Sequence, residues 1–443
     1  MAKKAWLRFL LPGVLILIVG VGLLVKFGME RAVAEEVLAQ FPDRGVPRMN
    51  ITLNGVTLSE INGGSKDTKY EGNELSLYEG SEVREFDRVR IKGRGNSTWD
   101  QIKKPYQIKF DEKVSLLGMN KAKKWYLLAN YYDDTNLRDE LAFNLERILK
   151  MNYPLNGRFV DVYFDGDYVG LYYLTEAVEI GKNRVDLRDE LSILVELDNI
   201  HNSNKNKFVT GNGDILTIKD LKTNNENVNG MKSFLDKYNQ LELAIGEGSF
   251  ERIETLIDVE SWAEFFLLSE IAVDPDAYSS SFYMWMDGID DSIHAGPGWD
   301  YDYAFGNRKW QNWMGERFLS PTEKMIRKEE LEKKDECLAL WDDERCKLGD
   351  VVSSIMYDLM EFDEFEDAVA RIFRERLAGK SEEVVSELEK SADKIREAAR
   401  YNNGKWGLAA FDGEVQDLLN WIKERLEFLE GEYGGEVRQQ GQK

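Results

Sequence analysis

Apolar and polar residues alternate along RMNITLNG (Arg48–Gly55), EFDRVRIKG (Glu85–Gly93) and PYQIKF (Pro105–Phe110), and the period of two predicts strands. Asn54-Gly55 adds a hairpin signal. From Thr135 to Met151 the period lengthens. Leu137, Leu141, Leu145 and Ile148 fall on one side of a predicted helix that Asp133, Asp134 or Thr135 caps. FVDVYFDGDYVGLYYL reads as two strands around Asp165-Gly166-Asp167, and LSILVELD as another strand. ERIETLIDVESWAEFFLLSEIAV predicts a long helix, and FYMWMD with the segment before Gly296 a short strand pair. Residues 321–350 are rich in charge and read as a surface insertion. Val352 to about Tyr433 reads as amphipathic helix broken at Asn402-Asn403-Gly404. A strand-rich first half to about residue 200 followed by a helical second half predicts one two-lobed α+β unit over 48–443.

Residues Phe9–Val25 carry no charge and reach the minimum length for a bilayer span. Lys3, Lys4 and Arg8 precede the run. This predicts a cytoplasmic basic tail (1–8), a transmembrane signal anchor (9–26), a juxtamembrane linker (27–47) and an extracytoplasmic main domain. The alternative is a cleaved signal peptide that leaves the domain secreted. Ala32-Val33-Ala34 resembles a cleavage site, but KFGMER separates it from the apolar run, which favours the uncleaved anchor.

The formal charge of −23 argues against nucleic-acid binding and favours basic partners and cations, besides keeping the domain soluble. Cys337 and Cys346 can close a short loop in an oxidising compartment. With His201 and His294 remote in sequence, a zinc site and a Ser-His-acid triad lack the residues they need.

Several segments together resemble the CotH (spore-coat) protein-kinase family. They are IKGRGNSTWDQIKKPYQIKF, LLANYYDDTNLRDELAFNL, VDVYFDGDYVGLYYLTEAVE, LVELD, SEIAVDPDAYSSSFYMW and GPGWDYDYAFGN, in the family's order, with WIKERLEFL near the end. The resemblance implies an atypical protein-kinase-like two-lobed fold. It also implies an ATP- and Mg²⁺- or Mn²⁺-dependent kinase acting on Ser/Thr of secreted or spore-coat proteins, with basic, Ser-rich substrates. The alternatives are a non-catalytic scaffold in envelope or coat assembly and an AMP transferase on the same fold.

Phosphoryl transfer asks for cations on the phosphates, a carboxylate on the metal and a carboxylate near the acceptor hydroxyl. Asp300 and Asp302, two apart in WDYD, face one way if the segment is extended and make a hard oxygen site. The resemblance makes Asp300 the metal ligand and Asp302 a second candidate. It matches Asp276, in DPDAYSSS, to the catalytic aspartate that takes the acceptor proton. Lys103 and Lys104 match the phosphate-binding position best, with Lys109 further along the same strand. Arg94 and Ser97 lie in Gly93-Arg94-Gly95-Asn96-Ser97-Thr98, whose G-x-G brings backbone amides close to an anion but is equally a strand-joining turn. Arg138, in NLRDE at the start of a helix, can hold a phosphate or an internal carboxylate, and the internal pair is favoured. Glu176 falls where kinase chains pass the adenine. H-R-D, D-F-G and Walker A runs are all absent.

Overall fold

The alternating N-terminal stretches close into a barrel, and the rest of the chain builds a second sheet and a helical layer against it. The computed structural model describes residues 40–199, 206–222, 228–274, 277–278, 280–307 and 355–435. The barrel comprises β1 (Arg48–Thr52), β2 (Tyr70–Glu79), β3 (Glu82–Gly93), β4 (Tyr106–Val114), β5 (Ala122–Leu128), β6 (Gly157–Phe164) and β7 (Asp167–Glu176). Its strand order is β1-β2-β3-β4-β5-β7-β6, and the parallel pairing of β1 with β6 seals it. Alternate residues such as Ile51, Leu75, Ile91, Ile108, Trp125 and Leu174 fill the interior. Asp165 and Gly166 both take positive φ and make the tight turn of the β6–β7 hairpin.

The second sheet has the order β12-β11-β8-β10-β9, from β8 (Ile193–Leu197), β9 (Lys207–Val209), β10 (Ile215–Leu221), β11 (Phe282–Met286) and β12 (His294–Ala295). Helices α1 (Leu58–Gly63) and α2 (Arg138–Ile148) interrupt the barrel strands. After β10 come α3 (Val228–Gly246), α4 (Phe250–Ile253) and α5 (Val259–Ala272). The C-terminal layer is α6 (Ile355–Leu359), α7 (Asp363–Arg376), α8 (Ser381–Trp406) and α9 (Phe411–Tyr433). Helix α5 is apolar nearly all round and buried from Ser261 to Ala272, so it is the central strut of the larger core. Asn402 on α8 accepts from Leu171 N (3.1 Å) and Trp406 Nε1 donates to Val169 O (2.9 Å), which ties the helical layer to the barrel wall.

The expected two-lobed kinase-like architecture is not what the chain forms. The strand-rich part closes on itself as a seven-stranded barrel, and its last strand, β8, joins four strands from the part expected to be mainly helical in a separate five-stranded sheet. The predicted transmembrane segment lies outside the described residues, as do Cys337, Cys346 and the charged stretch 321–350. No helix among the described residues is long and apolar enough to cross a membrane. Asn54-Gly55 turns the chain into α1 rather than into a hairpin, because Thr57 and Glu60 form a capping box immediately after it. The long helix predicted from Glu251 is interrupted at Glu254–Asp258, where Asp258 caps α5 through Ser261 N (2.9 Å). The C-terminal break falls at Gly407, whose φ is +66°, so Asn402 and Asn403 are buried within α8.

Candidate active site

Three connections meet beside the outer face of β3, β4 and β5: the turn 94–105, the segment 129–137 and the loop 296–307. The outer face itself is polar and basic. Cross-strand register aligns Arg90, Lys109 and Lys124 in one row and Lys92, Gln107 and Tyr126 in the next. Gly93 and Gly95 set the turn that follows. A Cβ at Gly93 meets the Trp99 ring at 2.5 Å, and Gly95 has φ +81° with Thr98 Oγ1 2.1 Å from its Cβ position. Lys66 Nζ holds the same turn by donating to Gly95 O (2.6 Å) and Asn96 Oδ1 (2.8 Å).

Arg94 leaves this turn and lies over two rings, with its guanidinium carbon 4.4 Å from the Tyr126 centroid and 5.1 Å from that of Trp299. Its Nε is buried without a hydrogen-bond partner. The side chain is thus a stacked cation with unspent donor capacity.

The segment 129–137 is braced by a buried ion pair between Asp133 and Arg138. Asp133 also accepts from Thr135 N (2.9 Å), Thr135 Oγ1 (2.6 Å) and Arg138 N (2.9 Å), so it serves the first turn of α2 from outside the helix. Arg138 Nε reaches Ala304 O (2.9 Å), and Tyr132 stacks on Tyr303 at 4.8 Å. The next residue, Asp139, accepts from Tyr301 N (3.2 Å). Burial pushes its carboxyl up to about 7, the nearby charge of Asp300 adds to the rise, and Arg94 opposes it. Asp139, Asp300 and Arg94 therefore share one electrostatic neighbourhood, contributed by α2, the loop 296–307 and the end of β3.

With this geometry in place, residues 89–429 match the family described as CotH kinase protein. The chain belongs to the CotH kinase family. No curated protein matches it.

Several residues singled out from the CotH segments come together here. Arg94 and Asp300 line the site, with Asp300 exposed and at φ +72°. Asp302 is buried in the next turn, where its carbonyl accepts from Asn307 Nδ2 (2.7 Å), so the two aspartates do not form an extended pair. Ser97 is exposed on the turn after β3, and its carbonyl accepts from Tyr132 Oη (3.3 Å). Lys109 lies on the basic outer face.

Other predicted residues are committed to internal contacts or lie outside the described residues. Lys103 is fully buried and donates to Ala129 O (2.6 Å) and Leu171 O (2.5 Å). Burial draws its ammonium down to about 7, against the opposing charge of Asp161. Lys104 donates to Trp99 O and lies over the Trp99 ring. Glu176 is buried, pairs with Arg184 (2.7 Å) and accepts from Asn156 N (3.0 Å). Arg138 is an internal pair, as expected. Asp276 lies outside the described residues. The described chain just before it borders the site: Ala272 O accepts from Phe305 N (2.7 Å), and the charge of Asp274 acts on Tyr301.

Sequence reasoning passed over Tyr126, Trp299 and Asp139. No local signal marks Asp139, since a carboxylate opposite Leu137 and Leu141 on a helix reads as solvent-facing, whereas the fold buries it.

Proposed function

We propose that this CotH-family chain is a phosphotransferase that moves the γ-phosphoryl group of ATP to serine or threonine hydroxyls of proteins, with Mg²⁺ or Mn²⁺ as metal. The observation that carries this reading is the convergence of Arg94, Asp139 and Asp300 from three elements on one site. Arg94 binds phosphate oxygens, its orientation fixed in advance by the Tyr126 and Trp299 rings.

Among the described residues no group of three or more ligating side chains is placed to hold a metal ion. A magnesium site built on one or two carboxylates plus phosphate oxygens fits what is present. Burial and the charge of Asp300 raise the cost of ionising Asp139, which a divalent cation would relieve. Bound there, the cation supplies charge neutralisation at the transferring phosphoryl group. Asp276 takes the acceptor proton as the hydroxyl oxygen attacks phosphorus and the bond to the leaving ADP oxygen breaks. The net charge of −23 suits basic, Ser-rich acceptors. The apolar run Phe9–Val25 anchors the chain with its main domain outside the cytoplasm.

The test is label transfer by the full chain, with the label once on the γ- and once on the α-phosphate of ATP, in Mg²⁺ or Mn²⁺, to a basic Ser-rich protein. Transfer from the γ-position alone, lost in Asp300→Ala, is expected. Transfer from the α-position alone makes the chain a nucleotidyl transferase. No transfer and no nucleotide binding leave a non-catalytic scaffold.

A further inference from the structure

We propose that Glu146 is a positioning residue of this site: it pins Gly298 as Asp139 pins Tyr301, and the two together hold Asp300 in place for the metal. The inference rests on the phosphotransferase reading. It starts from the stretch 298–301, whose two ends meet α2 while the two residues between them serve the site. The Trp299 ring lies under Arg94 at 5.1 Å, and Asp300 is exposed although every other residue from Gly296 to Asp302 is buried. Asp300 also holds φ +72°, a conformation that a residue other than glycine keeps only where its neighbours are fixed.

Both neighbours are fixed from one helix face. Asp139 and Glu146 stand two helical turns apart on α2, one above the other. Asp139 accepts from Tyr301 N at 3.2 Å. Glu146 has no solvent exposure and no side chain donates to it; what its carboxyl faces is the Gly298 amide. The approach is too close for any side chain. A Cβ on Gly298 would stand 2.8 Å from Glu146 Oε1 and 2.2 Å from Tyr301 Oη. The buried Tyr301 ring thus folds back over Gly298, and the stretch closes on itself with Asp300 outermost. A carboxyl kept away from water costs free energy that an apolar side chain of its size would not. The part of the fold it serves is the loop that carries Asp300.

Titration calorimetry of Mn²⁺-ATP, and of ATP with chelator, on the full chain tests this. The variants are Glu146→Met, Asp300→Ala and their double mutant, with Glu146→Gln and Gly298→Ala beside them, all well below the lowest melting temperature. Glu146→Met is expected to weaken Mn²⁺-ATP about tenfold, to leave metal-free ATP within about twofold, and to add nothing once Asp300 is alanine. Glu146→Gln keeps an acceptor oxygen for the Gly298 amide and should bind Mn²⁺-ATP within about twofold of wild type. Gly298→Ala pushes the loop from its own side and should repeat the Glu146→Met pattern, so it decides the matter if Glu146→Met does not fold. Unchanged Mn²⁺-ATP affinity in the folded variants, or losses that simply add to that of Asp300→Ala, overturn the proposal while wild-type Mn²⁺-ATP binding leaves the phosphotransferase reading standing. A wild-type chain that binds no nucleotide overturns both.

Discussion

Glu146, on α2, has no solvent exposure, and no side chain donates a hydrogen bond to its carboxylate. Burial pushes its carboxyl from the usual 4.5 up to about 8, with only Arg147 and the Gly298 amide acting the other way. The folded chain therefore holds a proton that the unfolded chain releases, so stability is fully present below about pH 4.5 and is lost as pH rises to about 8. At about 1.4 kcal/mol per unit, the loss from this one group is about 3 kcal/mol at pH 7 and about 5 kcal/mol above pH 8. Glu146→Gln removes the titration. Urea unfolding of wild type and variant from pH 4.5 to 8.5 should give a stability difference that moves in favour of the variant by those amounts. Any fixed cost of accommodating the amide cancels in that change, as do carboxyls common to both proteins. Curves that run parallel across the whole range refute the reasoning, because the carboxyl would then ionise in the fold as easily as outside it.

Other expectations follow from the same contacts. Asp133→Ala leaves the Arg138 guanidinium buried without its partner, and should cost about 3–5 kcal/mol in urea unfolding. His294 is stacked on Trp285 and sits between Asp258 and Asp291, which lift its pKa against the effect of burial; its stabilisation is present below about 6.5 and fades as pH rises through the raised value. His294→Phe keeps the stack, so its stability deficit should be larger at pH 6 than at pH 9. Lys103→Met should leave ATP affinity unchanged in calorimetry, whereas Arg94→Ala should weaken it about tenfold or more, because one cation is spent on carbonyls and the other faces the site.

Local pattern carried far along this chain. Period two located β1, β3 and β4 and the helical period located α2, whereas β6, β7 and β8, buried on both faces, were legible as apolar runs with a hairpin signal between the first two. The closure of the barrel was not legible, because it depends on β1 lying parallel to β6, more than a hundred residues away. Lys103 shows the same limit at a single side chain. It reads as a phosphate contact beside a strand, yet its surroundings are set by Leu171 and by Gly170, where a Cβ would stand 2.8 Å from Lys103 Cε and 2.9 Å from Asn402 Oδ1. Arg94 was legible as a polar residue in a glycine turn. The rings that orient it come from β5 and from the loop after β12, and nothing in the local sequence joins them. The α3 helix went unread, and the bulge that β10 carries at Lys219 has no sequence signature of the glycine kind that marks many others.

The seam between β1 and β6 has a practical consequence. The family match begins at residue 89, inside β3, whereas the barrel begins at Arg48. A fragment cut at the family boundary loses β1, β2 and half of β3. It leaves β6 and the stump of β3 as raw edges, with unpaired amides and carbonyls beside an opened apolar interior. Such a fragment should aggregate by edge-to-edge pairing, and its failure would say nothing about the chemistry. The folding unit is longer than the homology unit, and any excised domain has to start ahead of Phe41, whose ring packs against Tyr78 and Tyr163 over the outside of that seam.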